Sequence, residues 1–338
     1  MDNWVLLGKN NLVKQPQEAK KIGPTQVKVK VSHVLLANYD AFCYVGAKAV
    51  NYPKTIGRFA IGVVTETGEA CYGLQKGSRV YLNAVRPCGN CYACKSGNRN
   101  DCEHVKLAGS DFDGFMRDFV ICDYSYVSVI PDSVDDLHGL CIEYVALAEN
   151  IFDRLHLSAG KRVGIVGGGF LGTILAQIAM YHKLVPIVID NYQKNIERLK
   201  RSGIFYAFPA DDALPANISN ATSGEMCDAA IYTTCCRLPA SVPASVVSRH
   251  KDVVFAGFNN MSVSMDTSFM FEKNLKAFAV TDGYGYMETA INMLVHDALD
   301  LSNLEKTTLS EFDLPALLTA RAESSAYASN MVVLKLIL

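Results

Sequence analysis

The sequence carries almost no excess charge of either sign: 32 Lys and Arg stand against 34 Asp and Glu, a formal charge of −2 over 338 residues. That balance excludes a global attraction to nucleic acid or to an anionic membrane surface. The chain opens Met1-Asp2-Asn3-Trp4 and lacks a basic segment followed by a continuous apolar core, so no secretory signal is expected. Long apolar runs are missing too. The least polar stretch, Val163 to Met180, holds five glycines together with Thr173 and Gln177, which argues against a membrane span. There is no internal repeat, low-complexity tract or long linker. With half the residues apolar and a fifth charged, a disordered chain is excluded.

What is there bounds the rest. At roughly 150 residues per domain the length predicts two domains, each able to bury a core. Eleven cysteines are an odd number, and without an export signal they point to reduced thiols or a metal, hence to the cytoplasm. The glycosylation-like triplets at Asn217, Asn220 and Asn260 are then chance matches.

Three regimes follow one another. Up to about residue 150, short β-rich runs such as Gln26–Val31, Ile61–Val64 and Gly77–Tyr81 alternate with period two and Gly punctuation, predicting small twisted antiparallel sheet or barrel structure. Next, apolar strands alternate with helical stretches: Arg162–Val166, Phe170–His182, Pro186–Asp190 and Gln193–Ser202, with strands at Phe205–Phe208, Ala229–Thr233 and Asp252–Ala256. Strands joined by helix-length crossovers predict a parallel sheet with right-handed connections. From about Tyr284 the pattern is helix Met287–Val295, loop, helix Leu314–Arg321 and a last strand Met331–Ile337. The fold class is α/β.

Two motifs carry chemistry. Cys88, Cys91 and Cys94, followed after seven residues by Cys102, offer four thiolates within fifteen residues. That is a complete tetrahedral shell for one Zn2+, and with no open position the site is structural. An iron-sulfur cluster uses the same donors, but nothing nearby suggests an electron-transfer partner. The second motif, Gly167-Gly168-Gly169-Phe170-Leu171-Gly172, fits G-x-G-x-x-G between an apolar strand and an apolar helix. In that setting Gly167 makes the turn, Gly169 admits a pyrophosphate and Gly172 lets helix pack on strand, while Phe170 and Leu171 open the helix whose free N–H groups face the phosphates. Asp190, twenty-one residues after Gly169, ends the second strand where a carboxylate accepts from ribose hydroxyls and repels a 2′-phosphate. NAD(H) is the expected dinucleotide.

Together with the run Asp113–Val120, which stands where a G-G-F-A-E-Y-like run is frequent, these motifs resemble the medium-chain dehydrogenase/reductase superfamily, especially its zinc-containing sorbitol and threonine dehydrogenase-like branch. The resemblance implies a GroES-like catalytic domain over 1–150 with a zinc lobe at about 86–104, a doubly wound Rossmann domain over 151–283, and a return to the first domain over 284–338. It also implies a homo-dimer or homo-tetramer. The family's second, catalytic zinc is another matter. Where a G-I-C-G-S/T-D run is typical, this chain reads Leu35-Leu36-Ala37-Asn38-Tyr39-Asp40, and where G-H-E is typical it reads Gly57-Arg58-Phe59. Only Glu143, in Cys141-Ile142-Glu143-Tyr144, survives as a ligand-type residue. Ala37 and Phe59 cannot coordinate a cation and Arg58 repels one, so no catalytic zinc is expected. A site rebuilt from His33 and Cys43 is the alternative. Cys71, Cys122, Cys141, Cys227, Cys235 and Cys236 read as small apolar packing residues.

Without the metal, the groups left to stabilise charge on a substrate are Tyr39, at the position of a family proton-relay hydroxyl, and Arg58. Arg58 has a second reading, a buried ion pair with Glu143 that fills the vacated place. Asp40 orients a neighbour or contacts substrate; Glu143 is the partner of Arg58 or an acceptor for a substrate hydroxyl. The expected function is NAD(H)-dependent hydride transfer to or from a small organic molecule, either an alcohol/carbonyl pair such as a polyol or sugar derivative, or an activated double bond. The alternatives are a zinc-dependent dehydrogenase with rearranged ligands and a catalytically inactive NAD(H)-binding regulatory protein.

Overall fold

The computed structural model describes residues 2–18, 20–233, 236, 238–257, 266–309, 313–323 and 330–336. Asn260, Cys235 and the end of the expected last strand lie outside them. The chain forms two compact units. The first runs to Glu143 and takes back the chain from Lys306, with helix Leu314–Glu323 and strand Met331–Lys335; the second runs from Tyr144 to Glu305. The boundary therefore falls ahead of the expected 150, and residues 284–305 stay with the second unit rather than returning to the first. Hydrogen bonds account for both corrections. Both oxygens of Glu143 are bonded to first-unit side chains, and Gln177 exchanges two hydrogen bonds with the backbone of Asp300, at 2.9 and 2.6 Å.

The first unit is β-rich, as its alternation predicts. Its main sheet has seven strands, in the order Val127–Val129, Arg79–Leu82, Phe59–Thr67, Gln26–Leu35, Met331–Lys335 and Lys306–Leu309, with Phe119–Asp123 also paired to Gln26–Leu35. In the long strand Gln26–Leu35, Val27, Val29 and Val31 point into the core while Lys28 and Lys30 do not. An irregularity in its pairing between Val31 and His33 shifts that alternation. A three-stranded ribbon formed by Asn11–Pro16, Asp2–Gly8 and Lys54–Thr55 has no counterpart among the strands the sequence predicts.

The second unit is a six-stranded parallel sheet in the order Tyr206–Pro209, Val185–Asp190, Arg162–Val166, Cys227–Thr233, Val247–Ala256, Lys276–Val280. Numbered along the chain this is 3-2-1-4-5-6, the doubly wound order, whose direction reverses beside Arg162–Val166. The strands read as apolar runs because both faces are covered: Val166, Ile187, Ile189, Ala230, Tyr232 and Val253 share a buried cluster on one face, and Val163, Ile165, Val188, Ile231 and Val254 are buried on the other. Helix Phe170–Tyr181 buries Phe170, Ile174 and Ile178, four apart on one of its faces. Among the described residues no helix is long and apolar enough to cross a membrane.

Candidate functional site

The glycine turn leaves the carboxyl end of Arg162–Val166, where the strand order reverses. Gly167 has φ of +102°, and a Cβ there would lie 2.0 Å from Thr233 Oγ1. A Cβ on Gly172 would lie 1.8 Å from the Gly167 carbonyl oxygen. Neither position admits a side chain, so the turn folds tightly and Gly169 becomes the N-cap of a twelve-residue helix beginning at Phe170 and Leu171. The orphan N–H groups and positive dipole end of that helix suit an anionic pyrophosphate.

Asp190 ends the neighbouring strand and is buried beside the turn. Its Oδ2 accepts from the Gly168 N–H at 2.6 Å and from Asn195 Nδ2 at 3.1 Å, and its Oδ1 accepts from the Tyr192 N–H at 2.7 Å. The expected ribose acceptor is thus also a brace for the glycine turn. Arg198 reaches the same turn from helix Gln193–Arg201, donating from Nη2 to the Gly168 carbonyl at 2.6 Å. Asn195 and Arg198 were not among the residues the sequence singles out; their only signal is a three-residue spacing that puts them on one helix face.

In the first unit, the hairpin of Val85–Arg86 with Lys106–Leu107 carries the cysteine lobe. The sulfurs of Cys88, Cys91, Cys94 and Cys102 all lie within 4.8 Å of one another, with Cys88 to Cys94 at 4.0 Å and Cys91 to Cys102 at 3.9 Å. A tetrahedron with Zn–S bonds of about 2.3 Å has sulfurs about 3.8 Å apart. Backbone N–H groups of Asn90 and Cys91 point at Cys88 Sγ, and that of Cys88 points at Cys102 Sγ, at 3.4, 3.3 and 3.2 Å. Such donors favour thiolate, and those of Asn90 and Cys91 hold the Cys88 thiol down to about 6. The four residues fit a structural zinc.

The remaining candidates gather elsewhere in the first unit. Asp40, in helix Asn38–Tyr44, accepts the Ala37 N–H on Oδ2 and the Gly57 N–H on Oδ1, both at 2.9 Å. Both of its oxygens are thereby used in tying the helix start to the turn that presents Arg58, so Asp40 acts as a brace. Burial pushes its pKa up to about 6 against the pull of those two N–H groups. Arg58 Nη2 donates to Glu143 Oε1 at 3.1 Å, and the Tyr81 hydroxyl donates to Glu143 Oε2 at 2.8 Å. Burial acts to lower the Arg58 pKa, but the charge and hydrogen bond of Glu143 together with Tyr39 and Tyr81 outweigh it and hold the guanidinium above its ordinary value. The ion-pair reading of Arg58 and Glu143 is the geometry found. Tyr81 was missed because nothing local in Arg79–Leu82 marks it.

Tyr39 lies with its ring centroid 5.5 Å from the Arg58 guanidinium carbon. Burial pushes the phenol up to about 12 against the opposing influence of Ser110, so it keeps its proton at neutral pH and serves as a donor. His33 Nδ1 lies 3.1 Å from Ser32 Oγ and 3.6 Å from Asp136, and Cys43 is buried with its thiol raised to about 12 by desolvation. Among the described residues, the cysteine lobe is the one group of three or more His, Cys, Asp or Glu close enough to share a metal. His33 and Cys43 belong to no such group among the described residues.

Residues 23–132 match the alcohol dehydrogenase GroES-like domain. The chain is 24% identical over 314 residues to an uncharacterized zinc-type alcohol dehydrogenase-like protein of Haemophilus influenzae, covering 92% of each. It is 30% identical over 206 residues to a sorbitol dehydrogenase of Halalkalibacterium halodurans, covering 60% of each. Among solved structures, an Escherichia coli CFT073 alcohol dehydrogenase (rspB) complexed with NADH is similar with a TM-score of 0.86 at 23% identity, over 99% of both chains. A zinc-binding dehydrogenase of Sinorhizobium meliloti 1021 bound to NADP gives 0.86 at 19% identity, again over 99% of both. These two likenesses bear on the fold, and the sequence matches on ancestry. Over residues 23–132 the chain thus carries the GroES-like domain of alcohol dehydrogenases, and along most of its length it is similar to zinc-type alcohol dehydrogenase-like proteins.

Proposed function

We propose that the protein is an NAD(H)-dependent oxidoreductase that moves hydride to or from a small alcohol/carbonyl pair, with zinc in the cysteine lobe and an organic ion pair in place of a catalytic metal. The observation that carries the reading is the glycine turn at the reversal of a 3-2-1-4-5-6 sheet, with Asp190 at the end of the adjoining strand. Gly167, Gly169 and Gly172 give the turn its shape, the first turn of the helix at Phe170 and Leu171 offers N–H groups to the pyrophosphate, and Asp190 keeps an acceptor for ribose. When bound, NAD(H) supplies the nicotinamide that accepts or gives the hydride.

The chain's own residues do the rest. Tyr39 holds a phenolic proton, which it presents as a hydrogen bond to the negative charge developing on a carbonyl oxygen. Arg58 lends positive charge to Tyr39 from beside its ring, and Glu143, fixed by Tyr81, keeps Arg58 in place. Asp40 positions the helix that carries Tyr39. Ala37 and Phe59 supply no ligand atom, and each oxygen of Glu143 already accepts a hydrogen bond, from Arg58 and from Tyr81.

Relatives described as sorbitol dehydrogenase, 2-dehydro-3-deoxy-L-galactonate 5-dehydrogenase and L-threonine 3-dehydrogenase favour a secondary alcohol or ketone on a polar carbon chain over an activated double bond. A homo-dimer or homo-tetramer is the proposed solution form, to be read from the sedimentation mass. The test is NADH oxidation and NAD+ reduction over a panel of polyols, sugar derivatives, ketones, aldehydes and enones. Turnover on the hydroxylated members is expected. Tight NADH binding with no turnover on any member would instead favour a regulatory dinucleotide binder.

A further inference from the structure

The glycine turn and the carboxylate beside it are joined by a closed ring of side-chain bonds that the proposed function does not require. Arg198 Nη1 donates to Asn195 Oδ1 at 3.1 Å, Asn195 Nδ2 donates to Asp190 Oδ2 at 3.1 Å, and Gly168 N donates to that same oxygen at 2.6 Å. Arg198 Nη2 closes the ring by donating to the Gly168 carbonyl at 2.6 Å, and it also meets Thr173 Oγ1 at 3.2 Å. Thr173 in turn donates to the Gly169 carbonyl at 2.9 Å. Both backbone groups of Gly168 are therefore gripped, the N–H by Asp190 and the carbonyl by Arg198. Asp190, Asn195 and Arg198 are each at most 5% exposed.

Lone-pair counting gives the arrangement a consequence. A carboxylate accepts about four hydrogen bonds. On Asp190, Oδ2 takes two, from Gly168 and Asn195, and Oδ1 takes one, from the Tyr192 N–H. A single acceptor direction is left, on Oδ1. Rotation of the carboxylate would break the ring, so the remaining direction is fixed. Burying a guanidinium is costly unless its donors are used, and an apolar side chain would fill the same helix position without that cost. Arg198 spends Nη1 on the residue that holds Asp190 and Nη2 on the turn.

Building on the dinucleotide reading above, we propose that Arg198 is a positioning residue that sets cofactor preference: through Asn195 it holds Asp190 Oδ1 as the one acceptor for an adenosine ribose hydroxyl, and through the Gly168 carbonyl it holds the pyrophosphate turn. The preference for NADH over NADPH then depends on Arg198 although Arg198 is buried beneath the turn.

The experiment is fluorescence titration of the full chain with NADH and with NADPH. The proteins compared are the wild type, Arg198→Met, Asn195→Ala, Asp190→Ala and the double variant Asp190→Ala/Arg198→Met, each with its thermal midpoint recorded. The wild type is expected to prefer NADH. Arg198→Met should weaken NADH roughly tenfold while moving NADPH far less, so that the preference falls roughly tenfold, the scale of a lost hydrogen bond to a charged group. Asn195→Ala, which leaves the bond from Arg198 to Gly168, should lose preference in the same direction, and it carries the test if Arg198→Met fails to fold. In the Asp190→Ala background Arg198→Met should leave the preference unchanged, because the effect passes through Asp190.

Equal weakening of both cofactors, as general loosening would give, overturns the inference. So does an unchanged preference in both single variants, or a preference still altered by Arg198→Met once Asp190 is gone. A wild type that binds neither dinucleotide removes the underlying reading, and this inference with it.

Discussion

The guanidinium of Arg58 and the carboxylate of Glu143 lie 3.1 Å apart, and neither side chain reaches solvent. The pair occupies the stretch of sequence where the superfamily resemblance leads one to look for metal ligands, and Tyr81 completes it from strand Arg79–Leu82. An isolated charge in such a place is far more costly than the pair. Arg58→Met, which strands Glu143, is therefore expected to lower unfolding free energy by about 3–5 kcal/mol, and Arg58→Met/Glu143→Leu to recover most of that loss. Urea denaturation of the three proteins checks it. A single variant within about 1 kcal/mol of wild type would mean that the pair is not desolvated as described.

Asp40 gives a pH dependence with a definite sign. Burial raises its pKa from 3.8 to about 6, so between about pH 4 and 6 the folded chain binds more protons than the unfolded one. Stability from this group is highest below that window and falls as pH rises through it, by about 3 kcal/mol at most. Comparing urea midpoints of wild type and Asp40→Asn from pH 4 to 7 isolates the contribution. The difference between the two proteins should change across the window; a constant difference would show that Asp40 titrates normally.

The glycine turn admits no side chain at Gly172, since a Cβ would meet the Gly167 carbonyl oxygen at 1.8 Å. Gly172→Ala should weaken NADH binding at least tenfold through displacement of the turn, with little change in the zinc content of the cysteine lobe. Fluorescence titration and metal analysis on the same sample read both. Unaltered NADH affinity would place the dinucleotide elsewhere.

Tyr39→Phe removes one hydroxyl and keeps the ring beside Arg58. Turnover should fall roughly a hundredfold while the Kd for NADH stays the same. Because the phenol sits near 12, no kinetic pKa below about 10 should disappear with it. Unchanged kcat would take Tyr39 out of the chemistry.

The sequence is most legible where one physical rule acts alone. Strands buried on both faces read as apolar runs, so Arg162–Val166 is found at its predicted limits, and helix Met287–Val295 is found at its own through the helical spacing of Met287, Ala290, Met293 and Leu294. The glycine turn and the four cysteines were legible for a related reason: steric demand and metal geometry each restrict residue type at short spacing. Groups that meet only through tertiary structure were not. Tyr81 is 62 residues from Glu143, and nothing near either names the other. Asn195 and Arg198 read as polar positions of a surface helix, and only the fold turns them under Gly168. The ribbon of Asp2–Gly8 and Asn11–Pro16 escaped notice because its half-exposed faces blur the alternation that marks a strand. The domain edge was displaced because side chains such as Glu143 and Gln177, rather than composition, decide to which unit a segment is bound.

Zinc per chain, determined by elemental analysis on protein whose NADH-dependent turnover is measured in the same preparation, tests the account most directly. One zinc per chain is expected, lost together with lobe stability in Cys102→Ser and unaffected by Glu143→Gln. Two zincs per chain, with the second and the turnover both lost in Glu143→Gln, would contradict it.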